Sequence, residues 1–289
     1  MSEIVEKLIH TLHHSFEDTI KLVPVLFIVF FLMEYFEHKA GDKLTAIMKK
    51  IGSSSVSGVL GGAALGCIPQ CGFSAAASNL YAGEMISMGA LVAVFLSTSD
   101  EALPLMLSDP DSVGHIWKLI AAKLVIAIAA GLMIDAVSKL IKSNKAEKSF
   151  AEFCSDCGCG EHGIWYSALV HTLSTTLFIL IVNLILTGVM EFAGEDMVTE
   201  FLSNMGFAQP FVAALVGLIP NCASSVIITQ LYINGALSFG SAVAGLSTGA
   251  GVGLAVLFKA NKNFKENMTI LGLMYIIGTV SGVVINLFA

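Results

Sequence analysis

Two short segments of the chain combine cysteine, proline and an amide side chain, residue types that together can bind an ion. The first reads Cys67-Ile-Pro-Gln-Cys71 and the second reads Pro220-Asn-Cys222. Proline interrupts a helix because it lacks the backbone N–H and clashes with the preceding turn. A partly unwound backbone would aim the sulfurs of Cys67 and Cys71 at one point, with Cys222 approaching from the second segment. Three thiolates suit a soft metal or a trivalent metalloid.

Oxygen-bearing side chains near both segments would supply further ligands or orient the thiols. The predicted substrate-binding residues are Cys67, Pro69, Gln70, Cys71, Ser74, Asn79, Pro220, Asn221, Cys222, Ser225 and Gln230. The alternative for either segment alone is structural, because free cysteine is often a small buried apolar residue and proline a simple kink. The recurrence of the motif favours a function.

A pair of adjacent carboxylates lies in a third apolar segment. Asp100 and Glu101 follow a Ser-Thr-Ser run at 97–99, and carboxylates inside a membrane are costly enough to indicate function. We predict a proton- or cation-coupling role for both. Two alternatives stay open: the acids pair with Lys123, or they lie near the outer surface, where charge is tolerated.

Cysteine and histidine cluster again in the Lys-rich middle of the chain. The spacing there is Cys154-x-x-Cys157-x-Cys159-x-x-His162, which is typical of soft-metal ligation. We predict an accessory site that captures or senses metal before transport; the alternative is a linker that happens to contain these residues. The cluster has no counterpart in the other half of the chain, so it lies outside the core pathway.

The composition is that of a membrane protein. The 289 residues are 55% apolar and 13% charged, with a mean hydropathy of +0.81, whereas soluble domains are about 45–50% apolar and about 25% charged. The chain has no arginine and a net charge of −7, which argues against nucleic-acid recognition. The expected partners are a lipid bilayer and a small inorganic ion, with no cofactor and no nucleic acid. A homo-oligomer is compatible with the sequence.

Eight apolar segments are candidates for insertion, since about 20 apolar residues make one crossing. They are 19–36, 55–83, 85–107, 116–141, 164–190, 210–233, 236–258 and 268–289. Lysines concentrate in three loops near 39–50, 139–148 and 259–265, which the positive-inside rule puts in the cytoplasm. The acidic, lysine-free loops near 108–115 and 191–209 are then outside.

This orientation requires an odd number of crossings between neighbouring inside and outside loops. We therefore predict that 55–83 enters and returns as a Pro-broken helical hairpin and that 85–107 is a full span. The same holds for 210–233 and 236–258. Each half then has three full spans plus one hairpin, about ten membrane segments in an all-α protein of the cell membrane. Both termini are predicted outside, and the linker 142–163 is predicted to be cytoplasmic.

The two halves match without gaps at an offset of 151 residues through the broken segment. The identical pairs are Gly66/Gly217, Ile68/Ile219, Pro69/Pro220, Cys71/Cys222, Ser74/Ser225, Leu80/Leu231, Tyr81/Tyr232, Ser87/Ser238 and Gly89/Gly240. A Leu-Ser-Thr triplet at 96–98 recurs at 246–248, one residue out of step, and Asp135 matches Asn286. Chance similarity between apolar segments does not readily produce such a repeat.

An odd number of crossings per half would invert the second copy in the membrane. The predicted domains are a first repeat at 1–141, a linker at 142–163 and a second repeat at 164–289. Inverted repeats with interrupted segments in corresponding positions indicate a transporter whose site lies near the bilayer midplane. A broken helix frees carbonyls and amides that only protein, water or substrate can satisfy there. This predicts a transporter and not an enzyme.

These motifs resemble the ten-span heavy-metal exporter family, which is related in name to the arsenical permeases and includes members labelled manganese transporters. The resemblance covers nearly the whole chain. It rests on Gly66-Cys-Ile-Pro-Gln-Cys71, on Gly217-Leu-Ile-Pro-Asn-Cys222 and on Leu-Ser-Thr-Ser-Asp-Glu at 96–101. It implies an efflux permease for a heavy-metal or metalloid ion.

Three other functions stay open. A transporter of manganese or another divalent cation would use Asp100, Glu101, the side-chain amides and freed carbonyls, since harder ions prefer oxygen. A membrane thiol redox protein would use Cys67 and Cys71 as a titratable pair, although their spacing is not C-x-x-C. A small-anion transporter would face its cargo with the N-termini of the half-helices.

Overall fold

The protein is helical throughout the part of the chain that the structure describes. The structure is a computed structural model and describes residues 55–68, 71–99, 102–108, 113–141, 164–193 and 206–288, with scattered positions between 16 and 31. The helices are α1 (Ser55–Gly66), α2 (Cys71–Ala82), α3 (Met88–Ser97), α4 (Ala102–Ser108), α5 (Val113–Ile141), α6 (Ile164–Ala193), α7 (Gln209–Gly217), α8 (Cys222–Ile233), α9 (Phe239–Thr248), α10 (Val252–Ala260) and α11 (Phe264–Phe288). The prediction of an all-α protein is confirmed over these residues.

Four helical stretches among the described residues are long and apolar enough to cross a membrane. They are Met88–Leu107, Val113–Leu140, Phe239–Ala260 and Phe264–Phe288. The first and third are 81% and 89% buried inside the protein, whereas the second and fourth are 33% and 28% buried. The first and third stretches therefore form the centre of the molecule, and α5 and α11 form its apolar periphery.

The helix α6 packs against the first apolar segment of the chain. The rings of Phe31 and Trp165 lie 4.6 Å apart between centroids, and those of Phe30 and His171 lie 5.5 Å apart. These contacts bring together the segments predicted as the first span of each half.

The chain is interrupted at two more places than the sequence indicated. The predicted breaks separate α1 from α2 and α7 from α8. The segments 85–107 and 236–258 were predicted as full spans; both are long and apolar enough to cross a membrane, but neither is one continuous helix. In the first, α3 ends at Ser97 and α4 begins at Ala102; in the second, α9 ends at Thr248 and α10 begins at Val252.

Hydroxyl groups and a glycine account for these two additional breaks. Ser97 Oγ donates to Ala93 O at 2.8 Å, and Thr98 Oγ1 donates to Val94 O at 2.7 Å. Such side-chain bonds satisfy the carbonyls of the last turn and compete with continuation of the helix. In the second half, Gly251 has a φ of 52° and a ψ of −143°, a conformation that glycine adopts far more readily than other residues.

Equivalent contacts recur in the two halves at the 151-residue offset. The amide of Gly89 donates to Asp135 Oδ1 at 2.8 Å, and the amide of Gly240 donates to Asn286 Oδ1 at 3.0 Å. In each case a side chain near the end of a long peripheral helix binds the first turn of a central helix, α3 or α9.

The same offset holds at the ends of α3 and α9. Ser97 Oγ donates to the carbonyls three and four residues before it, and Thr248 Oγ1 does the same. Ser97 therefore corresponds to Thr248, which is 151 residues later, and not to Ser247. The Leu-Ser-Thr triplet recurs one residue out of step in the sequence, whereas the shared contacts keep the 151-residue register.

The halves interlock at the broken segments. The helix α2 packs against α10 of the second half, and α8 packs against α4 of the first half. Ser78 Oγ donates to Gly253 O at 2.7 Å, which ties the middle of α2 to the start of α10. The second helix of each predicted hairpin thus lies against a half-helix that the other half supplies.

Candidate substrate site at the helix breaks

The first arm of the first predicted hairpin, α1, ends against the C-terminal end of α3. Cys67 comes directly after α1, is half-buried, and donates from its thiol to Ala63 O at 3.3 Å. Gly66 makes this approach possible, because a Cβ there would collide with the Ser97 side chain and with Val94 O. The residue that precedes Cys67 therefore lies against the end of α3.

The second hairpin makes the equivalent approach. A Cβ on Gly217, the last residue of α7, would collide with Thr248 Oγ1 and with Gly245 O at the end of α9. Thr248 Oγ1 also donates to Ala214 O at 2.8 Å, which fastens the two helices together. The helices that precede the two proline-containing breaks, α1 and α7, thus end next to the breaks after α3 and α9.

Cys222 begins α8 inside the molecule. Asn221 is the N-cap, and its Oδ1 accepts from the amide of Ala223 at 3.3 Å. Cys222 is only 7% exposed and belongs to the same buried cluster as Ala75 and Val252. Ala75 lies one turn after the start of α2, the helix that Cys71 begins. Cys222 and a residue of α2, the helix that follows the first Pro-containing break, therefore belong to one buried cluster.

The two predicted serines are buried against glycines of the second half. Gly253 lies so close to Ser74 that a Cβ on the glycine would come within 2.7 Å of the Ser74 Cβ and Oγ. A Cβ on Gly249 would lie 3.3 Å from Ser225 Oγ. Ser74 thus lies against the first turn of α10, and Ser225 lies near the residue that follows α9.

The two predicted amides lie in different surroundings. Asn79 is buried and donates from Nδ2 to Ala75 O of its own helix at 3.1 Å. Gln230, at the equivalent position of α8, is exposed, whereas its neighbour Thr229 is fully buried. Pro220 is half-buried in the turn before α8.

The remaining predicted site residues fall outside the residues that the structure describes. These are Pro69, Gln70, the side chain of Cys71, Asp100, Glu101, Cys154, Cys157, Cys159 and His162. Within the described part of the chain, no group of three or more His, Cys, Asp or Glu side chains is arranged to hold a metal ion.

Sequence reasoning considered Lys123 only as a partner for the acid pair, and the structure gives it a central position. Its side chain is fully buried in the middle of α5. The ammonium donates to Leu246 O at 2.8 Å and also to Thr98 O. These carbonyls belong to the ends of α9 and α3, so one side chain bridges the two central breaks. A lysine in the interior of a long apolar span was the available signal.

Sequence reasoning also missed two hydrogen bonds between the halves. Tyr81, at the end of α2, donates to Glu266 Oε1 at 2.5 Å, and Tyr232, at the end of α8, lies with its hydroxyl 2.6 Å from His115 Nδ1. Both tyrosines and both partners are related by the 151-residue offset, since His115 corresponds to Glu266. Each bond joins a hairpin of one half to the first turn of the last helix of the other half.

The two bonds lie at opposite ends of the molecule. Ser87, in the turn after the Tyr81 end of α2, donates to Asp135 Oδ2 at 2.7 Å, so this end lies beside the C-terminal part of α5. Tyr232 contacts His115 in the first turn of the same helix. A straight helix places positions 115 and 135 about 30 Å apart, which is close to the apolar thickness of a bilayer.

The comparisons with known proteins agree with an apolar chain that crosses the membrane several times. No curated protein and no solved structure matches the chain. The family model described as "Putative, 10TM heavy-metal exporter" matches residues 3–204 and 174–289. Together these matches extend over nearly the whole chain, which is a multi-pass membrane protein. The chain belongs to this family.

Proposed function

We propose that the protein is an efflux permease for a soft metal or metalloid ion, bound near the bilayer midplane where the two proline-containing breaks meet. Cys67, Cys71 and Cys222 would supply sulfur, and the nearby amides and the serines Ser74 and Ser225 would orient the thiols or add oxygen. Soft ions prefer thiolates over oxygen donors. The observation that carries the proposal is the burial of Cys222 in one cluster with Ala75 of α2.

The transport mechanism in this proposal is alternating access by two inverted repeats. Inverted-repeat transporters expose one midplane site to each side of the membrane in turn. The bonds Tyr81–Glu266 and Tyr232–His115 would close the inner and the outer end respectively. The inner assignment follows from the lysines near 259–265, which the positive-inside rule puts in the cytoplasm.

Two further parts of the proposal concern residues outside the described part of the chain. Asp100 and Glu101 would couple transport to a proton or cation gradient, because intramembrane carboxylates commonly serve as relays. The cluster formed by Cys154, Cys157, Cys159 and His162 would capture the ion on the cytoplasmic side. The linker that contains it would stay cytoplasmic, with both chain termini outside.

Flux into proteoliposomes tests the proposed cargo and its thiol ligands. The wild-type protein is expected to carry arsenite or a thiophilic metal faster than Mn²⁺. Cys71→Ser and Cys222→Ser should each lower that flux by about tenfold or more, because a hydroxyl is a poor substitute for a soft thiolate. Thr269→Ala, on the exposed side of α11, controls for expression and reconstitution.

The competing cargo gives the opposite pattern. If the cysteine variants retain full flux while Asp100→Asn abolishes Mn²⁺ transport, the protein is a divalent-cation transporter with oxygen ligands. If no ion crosses the membrane and two thiols titrate as a redox couple, the permease proposal is wrong.

A further inference from the structure

The two central breaks leave backbone carbonyls that need a positive partner. In a continuous helix the Leu246 carbonyl would accept from the amide of Ala250, but that amide donates to Thr248 O at 2.9 Å. Thr98 caps α3 with a ψ of 130°, which turns its carbonyl out of the helix. Carbonyls at helix C-termini lack partners within the helix and carry the negative end of its dipole.

These two ends meet among buried residues, since Thr98 and Leu246 are each 2% exposed. The helices α3 and α9 contact one another and come from different halves of the chain. Unwound carbonyls and the C-terminal ends of half-helices are the groups that bind Na⁺ or protons in transporters with broken helices. Here the ammonium of Lys123 donates to both carbonyls.

The positive charge is present in one half only. At the 151-residue offset Lys123 corresponds to Met274, and both side chains are fully buried. Methionine fills a similar volume without charge, so packing alone does not require a lysine at this position. A charge within a membrane span is rare and costly, and it usually serves function.

We propose that Lys123 is a tethered cation that occupies a monovalent-cation site between the ends of α3 and α9, so that the transporter works without a free cation there. The amine replaces an ion such as Na⁺ by covalent attachment to α5. The inference concerns a cation site distinct from the cargo thiols and does not depend on which ion is exported.

The test removes the Lys123 side chain and adds free cations that can bind in place of its ammonium group. Lys123→Gly removes the side chain and leaves space beside the two carbonyls. In choline chloride this variant should unfold several degrees below the wild type. Added methylammonium, ammonium or Na⁺ chloride should raise its unfolding temperature in a saturable manner, because a ligand that binds only the folded state stabilises it. The wild type should not respond.

Two variants control for packing. Met274→Gly makes a cavity of similar size at the equivalent position, and it should lower the unfolding temperature without a response to any of these cations. Lys123→Met removes the charge but fills the space, so it should be destabilised and should not be rescued by cations. An equal response of Met274→Gly, or a Lys123→Met protein as stable as the wild type, would overturn the proposal.

The wild-type protein provides a measurement that does not require a folded variant. Its unfolding temperature should be the same in Na⁺ and in choline media of equal ionic strength and pH. Stabilisation of the wild type by Na⁺ of several degrees over choline would overturn the proposal even if Lys123→Gly does not fold. Loss of cargo flux in the cysteine variants is independent of this result, so the two proposals fail separately.

Discussion

At the scale of single residues, Asp135 stabilises the start of α3. Its carboxylate accepts from the amide of Gly89 at 2.8 Å and from Ser87 Oγ at 2.7 Å. A negative group near a helix N-terminus also gains from the helix dipole. In the second half the same position is Asn286, whose amide oxygen accepts from Gly240. The chain itself therefore shows that a neutral oxygen can fill this position.

We predict that Asp135→Asn lowers the free energy of unfolding only slightly, whereas Asp135→Leu lowers it more. The asparagine keeps an acceptor for Gly89 and should cost less than about 1 kcal/mol of unfolding free energy. The leucine leaves a buried amide unpaired and should cost about 2 kcal/mol. Denaturation of the purified variants measures both, with Asn286→Leu as the matched change in the second half. An Asp135→Asn protein as unstable as Asp135→Leu would show that the charge itself is needed.

Gly253 sets the distance between α10 and α2. We predict that Gly253→Ala costs about 1–3 kcal/mol, the usual penalty for overpacking a close contact, because its Cβ would overlap Ser74. Cargo flux should fall with it, since Ser74 belongs to the candidate site. Thermal unfolding and flux are the measurements.

The matched control is Gly272→Ala in α11. A Cβ at Gly272 meets nothing within 4 Å, and alanine is the better helix former by about 1 kcal/mol. This variant should be as stable as the wild type or more so. Equal stability of Gly253→Ala would mean that α10 can move away from α2 without cost.

At the scale of elements, the sequence predicted the breaks that contain proline and missed those that do not. Proline removes a donor whatever surrounds it, so Pro69 and Pro220 could be read locally. The breaks after Ser97 and Thr248 depend on hydroxyls bonding to the preceding turn, and serine and threonine make such bonds within unbroken helices as well. Whether such a hydroxyl accompanies a break or an unbroken helix depends on the neighbouring helix ends and on the Lys123 ammonium, which the sequence does not show.

The candidate site was partly predictable for a related reason. The internal offset identified equivalent polar residues, and the structure shows that Ser74, Ser225 and Cys222 are buried. The offset alone could not show which face of a helix is buried. Asn79 and Gln230 were therefore treated alike, although Gln230 is exposed. Hydropathy does not distinguish a surface that faces lipid from one that faces protein.

At the scale of the whole molecule, the two tyrosine bonds between the halves occupy equivalent positions but differ in chemistry. Tyr81 donates to a carboxylate, whereas Tyr232 contacts an imidazole. A bond to a charged group contributes about 1.5–3 kcal/mol and a neutral one about 0.5–1.5 kcal/mol. The Tyr81–Glu266 end should therefore be the more firmly closed of the two.

We predict that removing the two hydroxyls shifts access in opposite directions. Tyr81→Phe should raise the rate at which a membrane-impermeant maleimide labels Cys67 from the cytoplasmic side, by about 10- to 100-fold from the free energy of a charged hydrogen bond. Tyr232→Phe should raise labelling from the outside by about two- to tenfold. Mass spectrometry of proteoliposomes treated on one side at a time measures both rates.

The contrast between the two variants is what tests alternating access. Tyr275→Phe is the control, because that hydroxyl lies 3.5 Å from Phe211 O and bridges neither end of a hairpin to the other half. It should leave labelling unchanged from both sides. If Tyr81→Phe and Tyr232→Phe raise labelling from the same side, the two bonds do not close opposite ends of one pathway. Because the two bonds lie near opposite ends of α5, that result would contradict alternating access to the two sides of the membrane.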